Sequence, residues 1–259
     1  MIHLMIAAIA VVTTPAPLAP AGKWVVDYRK DMCLVSRPFG PADTATIFAL
    51  KPAIAMTEGG QTLFVLAPNT GGTGVRRGQA TVTPLQSGQQ KKFDYVSWVP
   101  KGTKLRAYEI EANADFAGSL GEATGVAIDA GKDGFSFATG KLQPVMTALA
   151  TCNQDLFRSW GIDPTAKAST QHGANPGSWF KDGDYPAAAK RRGAQGQSVV
   201  VLTVSGEGRP TACRVVVKAD PDLDRVTCEL AMRNGRYEAS PGKSDRYSIL
   251  SVRWVLDGY

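Results

Sequence analysis

Apolar and polar positions alternate in short runs through the first half of the chain. Trp24, Val26 and Tyr28 alternate with Val25 and Asp27, which predicts a strand with one buried face. Thr46–Leu50, Gln61–Leu66, Gln79–Leu85, Phe93–Trp98, Lys104–Ile110, Val126–Asp129 and Gly134–Ala138 are further strands by the same reading. Gly59-Gly60, Gly71-Gly72 and Gly131-Lys132-Asp133-Gly134 punctuate them, and this spacing predicts a sandwich or partly open barrel. Asn69–Gly74 is rich in glycine but lacks the Gly-Lys-Ser/Thr ending and the following helix of a phosphate loop, so it reads as a hairpin loop.

The period then changes. Val145, Leu149, Cys152, Leu156 and Trp160 form one helical stripe flanked by Met146 and Phe157, with Pro144 in the first turn and Gly161 after the last stripe residue. Residues 163–178 are small, polar and broken by Pro164, Gly173, Pro176 and Gly177, the composition of a linker. Beyond it lies a second unit, residues 179–259. It reads as a short helix Ala187–Arg192, strands Gln197–Val204 and Thr211–Lys218 around the turn Ser205–Gly208, a helix from Asp220 to about Arg233, and a last strand Arg246–Leu256. Val200, Leu202 and Val204 share one face, and Leu250, Val252, Trp254 and Leu256 another. The order αββαβ predicts an α+β layer with one antiparallel sheet.

Charge and histidine content narrow the chemistry. The 259 residues carry a formal charge of +6, and residues 176–259 hold 13 basic against 10 acidic side chains, so no segment is a basic tail. Nucleic-acid binding is not expected, because such proteins concentrate their charge on one face or segment. The two histidines, His3 and His172, lie in a targeting segment and in the linker, which argues against a Ser-His-Asp or Cys-His centre and against His-rich zinc ligation. No catalytic residue, metal site or cofactor is expected from motif spacing.

Leu4–Val12 is an apolar run of nine residues, short of the roughly 20 needed to span a bilayer. With small residues at Ala19 and Ala21 it reads as a secretory signal, residues 1–21, cut before Gly22, although its first residues hold no Lys or Arg. An uncleaved, membrane-anchored segment facing the periplasm is the alternative, and only then is membrane contact expected. The four cysteines, Cys33, Cys152, Cys213 and Cys228, are even in number and absent from any CxxC, which suits two disulfides in an exported protein. Four cysteines permit three pairings. A Cys33–Cys152 bridge would tie the first strand to the helix that closes residues 22–162.

Several pieces of the second unit form a pattern. Tyr185-Pro186 precedes Ala188 and Ala189, Gly193 and Gly196 precede Val199-Val200, and Val204 precedes Gly208-Arg209. Leu223-Asp224, Arg236-Tyr237 and a final apolar strand follow. Together they resemble the TonB C-terminal domain. The Cys213/Cys228 pair is similar to a variant of that family. Two departures concern the helix ends: Glu238-Ala239-Ser240 stand before Pro241, and Lys218-Ala219-Asp220 replace the usual Ser-rich turn. The resemblance implies binding of a short outer-membrane transporter segment, or another envelope protein segment, by strand addition to the last strand. The receiving residues would be Tyr247, Ser248, Ile249, Leu250, Ser251, Val252, Arg253, Trp254 and Val255. It also implies a link to energy-dependent transport across the envelope. A transducer of that family carries an anchor and a long Pro-rich arm. Here a folded unit and a linker that reaches at most roughly 50 Å stand in the arm's place, so peptide binding is expected and force transmission is not.

Other readings compete. The receiving edge could be covered by the first unit or by a dimer mate, leaving a structural envelope protein. Asp129, Asp133, Glu109 and Glu111 are the acidic residues a carboxylate-dependent hydrolase would use, and Glu109 and Glu111 share one face of a strand.

Overall fold

The computed structural model describes residues 16–29, 31–52, 60–86, 89–163, 166, 168, 174–242 and 246–256. The apolar run Leu4–Val12, His172 and much of the linker lie outside them.

Among the described residues nine strands build the first domain: β1 (Val25–Tyr28), β2 (Cys33–Phe39), β3 (Thr46–Pro52), β4 (Gln61–Pro68), β5 (Arg76–Pro84), β6 (Lys91–Trp98), β7 (Leu105–Ala112), β8 (Val126–Ala130) and β9 (Asp133–Phe137). They form a single antiparallel sheet in the order β1-β2-β3-β4-β7-β6-β5-β8-β9. The sheet curls into a partly closed barrel, the second of the two expected architectures. Between β7 and β8 runs α1 (Ala114–Glu122), whose Asn113 side chain accepts a bond from the Phe116 N–H at 3.2 Å. After β9 comes α2 (Gln143–Ser159), with Pro144 in its first turn. Leu149, Cys152 and Leu156 face inward, and α2 packs on β1, β2 and β3. The Cys33–Cys152 disulfide fixes that packing, joining α2 to the start of β2 across a sequence separation of 119. In a loop-entropy account such a bridge contributes about 5 kcal/mol.

The chain just before β1 joins β9, one end of the sheet, to β2, the second strand from the other end. Leu18 donates its N–H to the Ser136 carbonyl at 2.7 Å, and its own carbonyl accepts from Ala138 at 3.0 Å. On the other side Ala21 donates to Pro38 at 2.9 Å, and Gly40 donates to Ala19 at 2.8 Å. Residues 18–21 therefore lie between the end of β9 and the end of β2 and satisfy backbone groups on both. Beneath this seam Phe39, Phe48 and Phe137 are fully buried. Phe137 stands 5.1 Å, centroid to centroid, from each of the other two, and Trp24 meets Phe39 and Phe48 edge-on.

The second domain starts with two short 3-10 turns, Pro176–Trp179 and Asp182–Asp184. Then come α3 (Ala187–Arg191), β10 (Gly196–Val204), β11 (Pro210–Val217), α4 (Pro221–Asn234) and β12 (Arg246–Trp254), the expected αββαβ order. The sheet is antiparallel with β10 in the middle. Asp220 caps α4, accepting from the Asp222 N–H at 3.0 Å. On the α4 side Val200, Leu202, Val204 and Leu250 pack with Ala231, while Trp254 packs with Leu223 and Leu230. The Cys213–Cys228 disulfide ties β11 to α4. Both bridges match the pairings favoured by the sequence. Gly208 has φ +79°, and a Cβ there would strike the Tyr237 carbonyl, so that turn admits glycine alone.

A cut before Gly22 would remove the seam: the four backbone bonds and the Leu18 side chain that packs on the core. A cut upstream of Leu18 would keep them. Purified chains beginning at Ala16 and at Gly22 are expected to differ in stability by about 3 kcal/mol in urea denaturation, the shorter being weaker. Equal midpoints and slopes would show that the seam contributes nothing.

Candidate functional site

The last strand is an edge of the three-stranded sheet, paired only with β10 within it. The register runs from Val204 opposite Arg246 to Gly196 opposite Trp254. In an antiparallel pair, alternate residues turn both backbone groups toward the neighbour. Tyr247 turns its groups away from β10: its N–H donates to the Ala166 carbonyl at 2.8 Å and its carbonyl accepts from Ala168 at 2.7 Å. By the same alternation Ile249, Ser251 and Arg253 present N–H and C=O outward, whereas Ser248, Leu250, Val252 and Trp254 pair with β10. Val255 lies just past the end of the strand. Beyond it, Leu256 donates its N–H to the Gln195 side chain at 3.0 Å.

The inward side chains are fixed by α4. The Trp254 indole N–H donates to Thr227 Oγ1 at 2.9 Å, and the Tyr185 ring meets Trp254 edge-on at 5.3 Å. Ser198 Oγ donates to the buried Asp224 carboxylate at 2.6 Å, which also accepts from the Ala219 N–H at 3.0 Å. These contacts account for Tyr185 and Asp224 in the pattern read from the sequence.

The opposite face of this sheet rests on the first domain. Val199 and Val201 of β10 are buried in the first domain's core, and Val216, Val217, Tyr247 and Ile249 pack against it. The unbroken apolar run Val199–Leu202 carried this signal, since a strand covered on both faces loses its alternation. Two arginines reinforce the junction. Arg214 donates to the Trp160 carbonyl at the end of α2. Arg253 donates to Glu109 Oε2 and lies 5.5 Å over the Trp98 ring.

The carboxylates of the hydrolase reading are placed as follows. Glu109 is 5% exposed, with Lys51 Nζ at 2.9 Å from Oε1 and Arg253 on Oε2, so both oxygens hold a cation. Burial opposes ionisation of Glu109, but the Lys51 and Arg253 charges outweigh it and hold the carboxyl below the ordinary glutamate range. The neighbouring Glu111 carboxyl is raised, first by partial desolvation and then by the Glu109 charge. Asp133 accepts from Arg76 and from the Tyr108 hydroxyl, each at 2.8 Å. Asp129 is exposed on β8. Glu109 and Asp133 are thus both committed to partners. Among the described residues no group of three or more His, Cys, Asp or Glu is placed to hold a metal ion, and no helix is long and apolar enough to cross a membrane.

Because the Glu109 pKa is lowered in the folded state, the carboxylate stabilises the fold fully above the unfolded value. That contribution is lost as pH falls through the lowered folded value. Glu109→Gln is expected to cost about 2 kcal/mol at neutral pH, since it leaves Lys51 and Arg253 without their counter-charge. The gap between wild type and variant should close on acidification, read from urea midpoints across a pH series. A gap independent of pH would mean that charge is not the cause.

Residues 182–256 match the family model described as Gram-negative bacterial TonB protein C-terminal. No curated protein and no solved structure matches the chain. The second domain, from the turn Asp182–Asp184 to the end of β12, is therefore a TonB C-terminal domain, joined to a β-rich domain that the family model does not cover.

Proposed function

We propose that this is a TonB-like envelope protein whose C-terminal domain binds an extended segment of an outer-membrane transporter, or of another envelope protein, by adding it as a strand beside β12. The observation that carries the reading is the edge itself: a three-stranded sheet of this family with the backbone groups of Ile249, Ser251 and Arg253 turned away from β10. An incoming peptide satisfies those groups through its own main chain, and its alternate side chains give selectivity. The sheet's broad faces are already used, one by α4 and one by the first domain, which leaves its edges, of which β12 is the one the family resemblance points to.

Two disulfides suit an oxidising compartment, and export to the periplasm under a signal segment accords with them. Binding, rather than transmission of force, is the activity proposed, because the first domain packs directly on the peptide-binding domain in place of a long arm.

Synthetic peptides tiling the periplasm-facing segments of outer-membrane transporters test this by fluorescence anisotropy with the full chain. Ser251→Pro deletes an outward N–H without breaking the β10 ladder, and it should weaken the best peptide at least tenfold. Ser251→Ala should shift affinity less than threefold. Binding that ignores Ser251→Pro would move recognition elsewhere, and failure of every peptide would favour a structural envelope protein.

A further inference from the structure

The outward side of β12 is already filled at one end. Tyr247 bonds through its N–H to residue 166 and through its carbonyl to residue 168, the pattern of parallel pairing. Ala168 is 3% exposed and belongs to the core that holds Trp179, Val200 and Leu250. This piece of the connection is therefore anchored by packing as well as by its two hydrogen bonds. The pairing goes no further among the described residues. Ile249, two positions on, has no such bond to a described residue, nor do Ser251 and Arg253. At the far end β12 stops at Trp254, and Leu256 is held by the Gln195 side chain.

We propose that Ala166 and Ala168 act as a fixed stop on the receiving edge, so that the partner is a short extended segment paired with Ile249, Ser251 and Arg253 only. The proposal rests on the strand-addition reading above and adds to it the length and register of the partner. Three outward residues offer six backbone groups, which a strand of about five residues satisfies. Extending the peptide past Ile249 toward Tyr247 gains nothing, because those two groups are already bonded and displacing Ala168 would expose a buried side chain. The self-strand also prevents slippage: a peptide shifted toward Tyr247 meets a filled position.

The test combines a length series with amide exchange on the full chain. The probes are peptides of three, five, seven and nine residues centred on the best transporter segment. Affinity should rise roughly tenfold for each outward residue newly paired, then change less than twofold beyond about five to seven residues. In the free protein the Tyr247 and Ala168 amides should be protected, and those of Ile249, Ser251 and Arg253 should exchange faster. With bound peptide the latter three should gain protection while Tyr247 and Ala168 keep theirs. Ala168→Pro removes the bond to the Tyr247 carbonyl and should let the affinity gain continue for about two more residues. If that variant does not fold, the exchange pattern of the wild type decides. Loss of Ala168 protection on binding, or affinity still climbing at nine residues, would overturn the stop while leaving strand addition intact. If no peptide of any length binds, the strand-addition reading fails and the stop falls with it.

Discussion

Burial of β10 on both faces is the constraint on which the arrangement of the molecule rests. Val200, Leu202 and Val204 lie under α4, and Val199 and Val201 lie in the core of the first domain. A strand covered on both sides makes the small sheet a middle layer rather than the floor of an independent domain. The hydrophobic gain is of the order of 1.5–3 kcal/mol for each fully buried aliphatic side chain. The two domains therefore share packing, and the orientation of β12 toward the first domain follows. Arg253, clamped by Glu109 and Trp98, sits at one end of that contact, and Arg214, on the Trp160 carbonyl, is a second clasp.

This arrangement changes how a family surface is presented. With the faces consumed, the proposed strand addition would draw its selectivity from the backbone of β12 and the few side chains beside it. The same chain limits that edge at Tyr247. A domain with one face open would tolerate several modes of docking, whereas the proposed mode here would use a bounded row of donors and acceptors.

Much of the fold was legible because its elements carry a single period. The alternation of β3, β4 and β6 and the stripe of α2 are local signals, and so is the αββαβ order of the second domain. Other features depended on partners distant in sequence. The segment Cys33–Phe39 carries no clear strand pattern, its alternation of Cys33, Val35 and Phe39 being blurred by Arg37 and Pro38. Helix α1 carries Gly118 and Gly121, with Phe116 and Leu120 as its large buried side chains, and its clearest local mark was the cap at Asn113. Residues 18–21 resemble a processing site because small residues suit both a peptidase and a crowded seam. The candidate edge was found through the family pattern. Its use by Ala166 and Ala168 was not, since small residues in a polar stretch give no sign of pairing.

The seam at residues 18–21 also bears on the order in which the barrel can be completed. Leu18 finds its partners next to Phe137, and Cys33 finds its own in Cys152, across a sequence separation of 119. A chain made amino end first delivers one half of each closure long before the other. Contacts of such long range are slow to form, and the sheet ends stay open to wrong pairings while they wait. The backbone bonds that close the barrel and the disulfide that fixes its helix can therefore form only after nearly the whole first domain has been made.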